Sequence, residues 1–517
     1  IADVTGLLDA AAGAQWLQHL LILALASIAA IMLISGIDDA LYDAWFWIRA
    51  LRRAIFKRHR MKPVSREALL GRAEEPMAVI IPAWEEAAVL EPMLARLSRT
   101  IDYTNYRAYV GVYPNDAATQ LAARRAAALN PRLRIVTLDH DGPTNKADCL
   151  NGIWSAVLAD EASGCKPYEI FVMHDCEDVI HPLAWRLFNW LIPRKDMVQL
   201  PVLSLPRSGW DWTAGHYQDE FAQQHLKDLV VRESMHRSLP AAGVGVAFSR
   251  RAMNALADGE RDGPFGVGSL TEDYDLGMRL RGLGMTQIFA RFWVEGELHQ
   301  PHPSSGDLRP TRHRELICVR EYFPATLSAS VRQKARWIVG IALQGWRTWG
   351  WRGDWVTRYM LLRDRKVLVT SLAVAAGYLV SGVFVALWLW QSISIGGHAA
   401  IPDAASSDWL TGLLLANLVI LALRIVQRMA FTGWVYGPAQ AMLSLPRMVW
   451  ASWVNFLATS RALRLWARHL RTGEPIGWDK TAHEYPQETE PAPALNPAAV
   501  VRNQTPDHPS ATEALRP

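Results

Sequence analysis

Apolar residues along the chain form long uncharged stretches and shorter runs. The first long stretch, residues 16–37, carries no formal charge, and its length is enough to cross a bilayer core of about 30 Å as one helix. A basic, aromatic stretch follows at residues 45–60, and basic residues beside a span favour the cytoplasmic side. We therefore predict a membrane anchor, for which a buried amphipathic helix is the alternative.

Two more uncharged stretches lie at residues 367–390 and 409–422. The loop between them contains no Lys or Arg, which is typical of the outer side of a membrane. A further apolar stretch, residues 431–457, contains two prolines and has arginines on both sides. Because a crossing would put one basic cluster outside, we expect an interfacial or re-entrant helix pair there. A fourth span is the alternative.

Short apolar runs between the anchor and the later stretches predict buried strands at Met77–Pro82 and at residues 109–113, 133–138 and 169–173. Alanine-rich helical patterns such as Ala117–Leu129 lie between them. Strands that alternate with helices indicate an α/β fold with a mostly parallel sheet. Ligands bind such sheets at the carboxyl ends of the strands.

Polar side chains follow each of the four predicted strands. Glu86 follows the first, Asp116 the second, Lys146 the third, and Asp175 begins an acidic group after the fourth. Because parallel strands end at one edge of the sheet, these residues predict one shared site. Lys146 can supply positive charge to a phosphate, although an ordinary surface lysine is the alternative.

The acidic group after the fourth strand is Asp175, Glu177 and Asp178. Three carboxylates this close repel one another unless a cation neutralises them. Their oxygens suit Mg²⁺ or Mn²⁺ bridging a diphosphate. The alternative is an acidic cap on the following helix.

Two later motifs carry further candidate chemistry. Glu272 and Asp273 open an amphipathic helix after Thr271, where a carboxylate can act as general base towards an acceptor hydroxyl. Helix capping is the alternative for these acids. The second motif, Gln333 to Trp337, reads Gln-Lys-Ala-Arg-Trp and lies just before the second long apolar stretch. Taken alone, it is also a common membrane-interface anchor.

Amino-acid composition limits the classes of function that remain possible. A net charge of +4 over 517 residues is too small to indicate nucleic-acid binding. The four cysteines form no CxxC pair, so neither a zinc site nor a disulfide framework is expected, which fits a reduced, cytoplasm-facing domain. Many of the 23 tryptophans lie at the edges of the apolar stretches, as at a membrane interface.

In this order, the motifs resemble the membrane glycosyltransferases of family 2, the cellulose-synthase-like enzymes. The resemblance covers roughly residues 76–340. The stretches at residues 311–314 and 478–483 make the layout most similar to the bacteriophage adsorption protein B group. The sequence departs from the family at Asn115, where a paired acid is common, and at Glu177, where many members have Asp.

The resemblance implies a GT-A type, Rossmann-like cytoplasmic domain with transmembrane and interfacial helices. It implies that Glu86, Asp116, Lys146 and Asp175 bind the donor nucleotide. The implied metal ligands, for Mg²⁺ or Mn²⁺, are Asp175, Glu177 and Asp178. Asp273, with Glu272 beside it, would act as the base. The implied acceptor and diphosphate contacts are Gln333, Arg336 and Trp337.

The implied function is inverting transfer from a nucleotide-diphospho-sugar, expected to be a UDP-sugar, to a growing polysaccharide or a lipid-linked acceptor. We expect a multi-pass protein of the bacterial inner membrane that contacts lipids and an envelope export partner, and no nucleic acid. The alternative is a catalytically silent scaffold or receptor in an envelope complex. The expected layout is an anchor region (1–60), a catalytic domain (61–310), interfacial helices (311–366), two spans (367–430), further interfacial helices (431–483) and a disordered tail (484–517).

Overall fold

The computed structural model describes residues 2–56, 64–236, 238–301, 308–394, 408–477 and 480–486. The helices are α1 (Ala2–Ile55), α2 (Arg66–Leu70), α3 (Ala87–Thr100), α4 (Ala117–Leu129), α5 (Lys146–Ala162), α6 (Ala184–Leu191), α7 (Trp212–Gln223), α8 (Leu229–His236), α9 (Arg250–Ala257), α10 (Glu272–Gly282), α11 (Leu327–Ile338), α12 (Gly345–Trp349), α13 (Trp355–Arg365), α14 (Val367–Ser394), α15 (Asp408–Tyr436) and α16 (Pro438–Thr472). Two π-helical turns, Gln224–Asp228 and Val339–Gln344, connect α7 to α8 and α11 to α12.

The strands are β1 (Met77–Pro82), β2 (Tyr106–Val112), β3 (Leu133–Thr137), β4 (Ile170–Met173), β5 (Val179–Ile180), β6 (Met197–Gln199), β7 (Val202–Ser204), β8 (Val246–Ser249), β9 (Gln287–Phe289), β10 (Trp293–Pro301), β11 (Leu308–Leu316) and β12 (Val319–Glu321). All four predicted strands are present, and β1 and α4 have the predicted bounds. The tail predicted at residues 484–517 lies outside the described residues from position 487 onward.

The central sheet has the strand order β3-β2-β1-β4-β8-β6-β9. β1 pairs in parallel with β2 and β4, and β2 pairs in parallel with β3, so the first four strands end at one edge. β8 runs antiparallel to both of its neighbours. Along β1, Val79 and Ile81 face one buried apolar cluster while Ala78 and Ile80 face another. A strand buried on both faces is therefore apolar throughout.

Two smaller sheets accompany the central sheet. β12 pairs antiparallel with β5 and parallel with β7, which brings Glu321 beside the loop that follows β4. β10 and β11 form an antiparallel hairpin from Trp293 opposite Leu316 to Pro301 opposite Leu308. The stretch at residues 311–314 lies on β11, and the side chains of residues 311–313 are outside the described set.

Within the described residues, three helical segments are long and apolar enough to cross a membrane: His19–Ile55, Trp355–Leu387 and Asp408–Tyr436. α1 packs against α14 and α15, and the Asn417 side chain of α15 donates a hydrogen bond to the Ala29 carbonyl (3.0 Å). The anchor predicted at residues 16–37 lies inside the single long helix α1, which also contains the first part of the basic stretch. These helices associate the protein with a membrane.

The stretch at residues 431–457 forms the end of α15 and the first half of α16. The break between the two helices falls at Gly437, whose φ of 86° favours glycine. α16 then continues through Pro446, with Met442 and Val449 exposed. One apolar side and one packed side are typical of a helix that lies in a membrane interface.

Buried ion pairs connect the membrane helices to the catalytic domain. Arg232 of α8 donates to both carboxylate oxygens of Asp364 on α13 (2.6 and 3.0 Å), and the Tyr274 hydroxyl donates to the same carboxylate (2.8 Å). Two partners with this geometry satisfy a charge that burial alone would destabilise. The pair therefore holds α8 on α13, the helix that forms the first part of the second candidate span.

We expect Asp364→Ala to lower the free energy of unfolding by about 3 kcal/mol, because it leaves the Arg232 guanidinium buried without its partner. Thermal unfolding of the detergent-purified protein measures this. Glu474→Ala is the control, since it breaks the exposed Arg468–Glu474 pair (3.0 Å) and should cost less than about 1 kcal/mol. Equal shifts for both variants would contradict the role given to the buried pair.

Candidate active site

The carboxyl ends of the parallel strands open into a cavity of about 140 Å³. Its wall combines residues from the strand ends, from α10 and α11 and from the C-terminal end of the described chain. The polar and aromatic members are Trp84, Glu86, Tyr113, Asn145, Lys146, Asp175, Glu177, Thr271, Glu272, Asp273, Glu321, Gln333, Arg336, Trp337, Lys480, Thr481 and His483. Of the site residues predicted from sequence, the structure brings all except Asp116 and Asp178 into this wall.

Asp116 instead supports the loop that presents Glu86. One of its carboxylate oxygens accepts a hydrogen bond from the Glu85 backbone N–H (2.6 Å), and the other accepts from the Thr119 N–H and caps α4 (3.1 Å). The Glu86 N–H donates to the Thr119 hydroxyl (2.9 Å). Glu85 has a φ of 53°, a conformation that costs energy for a residue with a side chain and that these bonds stabilise.

Lys146 is the first residue of α5, after the N-cap residue Asn145. Its ammonium lies 2.6 Å from an Asp175 carboxylate oxygen and donates to the Gly243 carbonyl (3.1 Å). Burial opposes the charged form, but the carboxylates of Asp175 and Glu272 outweigh it and raise the pKa of Lys146. The site therefore contains a fixed positive charge beside its acidic residues.

Gly243 leaves room for the side chains of Lys146 and Asp273 to lie close to the backbone at this position. A Cβ atom at Gly243 would lie 2.9 Å from an Asp273 carboxylate oxygen and 3.2 Å from the Lys146 nitrogen. Since the first distance is shorter than a Cβ tolerates, one of the two charged groups would have to move.

We expect Gly243→Ala to reduce turnover at this site about a hundredfold, since a displacement near 1 Å has that effect on a catalytic group. Gly259→Ala is a matched control, because Gly259 has the same φ of +76° but no atom within 4 Å of an added Cβ. Steady-state rates of both variants check the expectation. Equal losses would mean that backbone strain, rather than crowding of the site, causes the effect.

The acidic group after β4 divides between two environments. Glu177 faces the cavity, whereas the buried Asp178 carboxylate lies 2.7 Å from His174 Nδ1. The Trp185 indole donates to His174 Nε2 (3.2 Å), so His174 carries its proton on Nδ1 and donates it to Asp178. Burial lowers the pKa of His174 to about 3, which keeps this ring neutral. Asp178 therefore holds the loop after β4 in place from the side that faces away from the cavity.

The C-terminal segment, residues 480–486, extends into the cavity. Lys480 donates to the backbone carbonyls of Trp84 and Glu85 and lies 3.1 Å from the Glu86 carboxylate. His483 bridges two acids, with Nδ1 2.8 Å from Glu86 and Nε2 3.2 Å from Glu177. This segment fills part of the site, which explains a cavity smaller than the roughly 300–1,000 Å³ of typical ligand sites.

Sequence reasoning assigned no role in the site to His483, Lys480 or Glu321. Lys480 is 396 positions from Trp84, and no local spacing links such distant positions. The stretch at residues 478–483 supports the family resemblance, but it carries no local signal for a site. Burial, with Glu177 and Asp175 nearby, raises the pKa of Glu321 to about 8, so one further acidic side chain, contributed by β12, borders the acidic group.

Three side chains offer ligand atoms to one metal ion. Single atoms of Glu86, Glu177 and His483 lie within 4.8 Å of one another, and Glu177 Oε2 is buried without a hydrogen-bond partner among the residues that the structure describes. Burial is the main cause that raises the pKa of Glu177 to about 7. Burial lowers the pKa of His483, but Glu177 and Glu86 raise it more, to about 9. A proton on His483 thus balances the negative charge of Glu86 and Glu177. A divalent cation can balance the same charge, so these three residues fit a metal site.

α10 presents the two candidate catalytic acids at its first turn. Thr271 is the N-cap residue, and Asp273 accepts a hydrogen bond from the Tyr274 N–H through one carboxylate oxygen (2.7 Å). Burial raises the pKa of Asp273, and burial together with Asp273 raises the pKa of Glu272 to about 7. A carboxylate with a raised pKa accepts a proton more readily than an exposed one.

α11 places Gln333, Arg336 and Trp337 on the wall of the cavity, since positions i, i+3 and i+4 share one helical face. Lys334 points to the other side, where its buried ammonium contacts Glu220 (2.6 Å) and Asn455 of α16 (2.8 Å). The helix is thereby tied to α7 and α16. This fixes the orientation from which Arg336 and Trp337 reach the site.

The family profile described as Glycosyl transferase family group 2 matches residues 170–454, a range that contains most of the cavity wall. The chain belongs to this glycosyltransferase family. The chain is thus a glycosyltransferase, and the predicted fold class, a GT-A type α/β domain with transmembrane and interfacial helices, is confirmed. This glycosyltransferase is 41% identical over 488 residues to bacteriophage adsorption protein B of Escherichia coli (strain K12). The alignment covers 94% of this chain and 65% of that relative, so the chain spans about two thirds of its length.

Two solved structures give weaker likenesses to this glycosyltransferase. A mannosyltransferase from Pyrobaculum calidifontis, in complex with GDP-Man and Mn²⁺, is 16% identical with a TM-score of 0.47, over 83% of this chain and 99% of that one. Glucosyl-3-phosphoglycerate synthase from Mycobacterium tuberculosis, in complex with Mn²⁺, UDP-glucose and phosphoglyceric acid, is 18% identical with a TM-score of 0.26, over 42% and 69%.

Proposed function

We propose that this glycosyltransferase transfers a sugar from a nucleoside-diphosphate sugar, a UDP-sugar in the first instance, to a growing polysaccharide or a lipid-linked acceptor, with inversion and with a divalent metal. The proposal rests on the convergence of five side chains in one cavity. Two are the acidic metal-ligand candidates Asp175 and Glu177, and the others are Lys146, Asp273 and Arg336. These residues come from separate elements. Capping of single helices does not account for their meeting in one place.

The donor diphosphate would lie between the acidic group and the two cations. Glu177 and His483, with Asp175 or Glu86, would hold Mg²⁺ or Mn²⁺, and Asp178 is left out because it contacts His174. Such a metal, when bound, neutralises the diphosphate as a Lewis acid. Lys146 and Arg336 add fixed positive charge where the leaving diphosphate becomes more negative in the transition state.

Asp273 would act as the general base. The acceptor hydroxyl oxygen attacks the anomeric carbon, its proton passes to the Asp273 carboxylate, and the bond from the anomeric carbon to the diphosphate oxygen breaks. A single displacement of this kind inverts the anomeric configuration. Glu272 beside it would add negative charge to the site, while Gln333 and Trp337 would position the acceptor.

We place the protein in the bacterial inner membrane with the catalytic domain on the cytoplasmic side. The three candidate spans and the basic residues Arg49, Arg52 and Arg53 at the end of the first one support this topology. Cytoplasmic placement also gives the cavity access to nucleotide sugars. An envelope export partner and membrane lipids are the expected neighbours.

The proposal is tested by incubating the purified full chain with a panel of nucleotide sugars, with and without Mn²⁺ or Mg²⁺. We expect metal-dependent release of nucleoside diphosphate from one donor, and its loss in Asp175→Ala. Release that is equal in wild type and Asp175→Ala would reject the assigned site. No release with any donor, in protein shown to be folded, would favour a catalytically silent scaffold.

A further inference from the structure

Three arginines meet where α1 leaves the membrane. Arg49 and Arg53 lie one helical turn apart on α1 and are both half-buried, whereas Arg52 between them is exposed. Phe46, on the same face one turn earlier, lies under the guanidinium of Arg291, 5.9 Å from its ring centroid. Positions 46, 49 and 53 share one helical face, so all three guanidinium groups border one corner between α1 and the catalytic domain.

Aromatic side chains mark this corner as the level of the lipid headgroups. The Arg291 guanidinium also lies 5.9 Å from the ring centroid of Trp434, near the end of the third candidate span. Trp45 and Trp47 are half exposed on α1 and use their indole N–H groups to contact Ser234 and Gln427. Tryptophans at the ends of spans favour the interface between hydrocarbon and water.

The positive charge of the corner is not matched by protein carboxylates. Glu233 of α8 is the carboxylate that attracts Arg49 and Arg291 electrostatically. Lys195 also interacts with this carboxylate and so shares its negative charge. No ion pair within 4 Å joins these arginines to an acid in the described part of the chain. Burial and the nearby Arg53 lower the pKa of Arg291 to about 10, as expected where cations crowd together.

The other acids near this end of α1 have partners of their own. Asp38 and Asp39 pair with Lys366 (2.7 and 2.5 Å) and with Arg363. Asp43 pairs with Lys227 of the π-helical turn after α7. None of these three acids is therefore left to neutralise Arg49, Arg53 or Arg291.

We propose that this corner binds the phosphate of an anionic glycerophospholipid, with Arg49, Arg53 and Arg291 as its ligands. A phosphodiester accepts several charge-assisted hydrogen bonds from guanidinium forks. The acyl chains would lie along Leu41 and Ile48, which are 64% and 56% exposed on α1 and lie on the membrane side of Arg49. A lipid held here would attach the catalytic domain to the first span at a point where the described residues form no side-chain ion pair between the two. The site is independent of the sugar chemistry proposed above.

The test is native mass spectrometry of the detergent-purified full chain, titrated with palmitoyl-oleoyl phosphatidylglycerol or with the matched phosphatidylcholine. Wild type should retain the anionic lipid and not the zwitterionic one. Each lost arginine should weaken retention about fivefold, and Arg49→Gln with Arg53→Gln about thirtyfold, at roughly 1 kcal/mol per basic residue near an anionic surface. Arg291→Gln should act like either single variant.

Arg52→Gln is the matched control, since it removes the same charge at the same depth but on the exposed side of α1. We expect it to change retention less than about twofold, because an exposed charge is well screened. If Arg52→Gln and Arg53→Gln weaken retention equally, general electrostatic attraction explains the binding, and the proposed site is overturned. Equal retention of both lipids by wild type, or displacement by millimolar inorganic phosphate, would overturn it as well. Unfolding temperatures of the single variants show that each is folded.

Discussion

Asp273→Asn should lower the rate of sugar transfer about a thousandfold, within the range that general base catalysis contributes. The amide keeps the size of the side chain and can still accept a hydrogen bond from the Tyr274 N–H, so α10 should form normally. It cannot take the acceptor proton. The rate of transfer and the affinity for nucleoside diphosphate, measured on the same preparation, check this: the first should fall while the second changes little.

Asp275→Asn provides the matched control for this experiment. Asp275 lies in the same first turn of α10, but it does not contribute to the wall of the active-site cavity. Burial raises the pKa of Asp275, and Arg279 offsets part of that rise. Near-normal transfer by folded Asp273→Asn would show that another group accepts the proton. Glu272, whose pKa burial raises to about 7, would then be the next candidate.

The catalytic sheet was largely predictable from sequence because its signals are local. β1 is apolar at every position since both of its faces are buried, and α4 begins at an aspartate that caps it. Polar residues after parallel strands meet at one edge by topology alone. β8 was not predicted as a strand. β8 is inserted antiparallel between β4 and β6. The residues of the strand itself carry no local signal for that pairing.

The candidate site was predictable where it consists of strand ends and helix starts, and not where the chain returns from a distance. Glu86, Asp175 and Asp273 follow or precede elements that the apolar pattern identifies. His483 reaches Glu86 across 397 positions, and only the packing of the C-terminal segment brings them together. Asp178 shows the opposite case, because its sequence position suggested a ligand while the buried His174 beside it takes up its carboxylate.

Glu177→Gln should weaken metal binding and lower metal-dependent transfer about a thousandfold, since a metal that stabilises charge in the transition state contributes several kcal/mol. Glu177 faces the cavity and shares His483 with Glu86, so its carboxylate oxygens are central to the three-residue ligand set. The neutral amide is a poorer ligand for a hard cation. Binding of Mn²⁺ followed by electron paramagnetic resonance measures the affinity separately from turnover.

Asp178→Asn is the control that separates ligation from charge. It replaces the acidic side chain a single residue away, which is equally buried but hydrogen-bonded to His174. If proximity of charge alone attracts the metal, both variants should lose similar affinity. If Glu177 ligates the ion, Glu177→Gln should lose far more, while Asp178→Asn should mainly lower the unfolding temperature, because it weakens a buried hydrogen bond. The reverse order would place the metal behind the loop, against His174, and would require a different set of ligands from the one that the cavity presents.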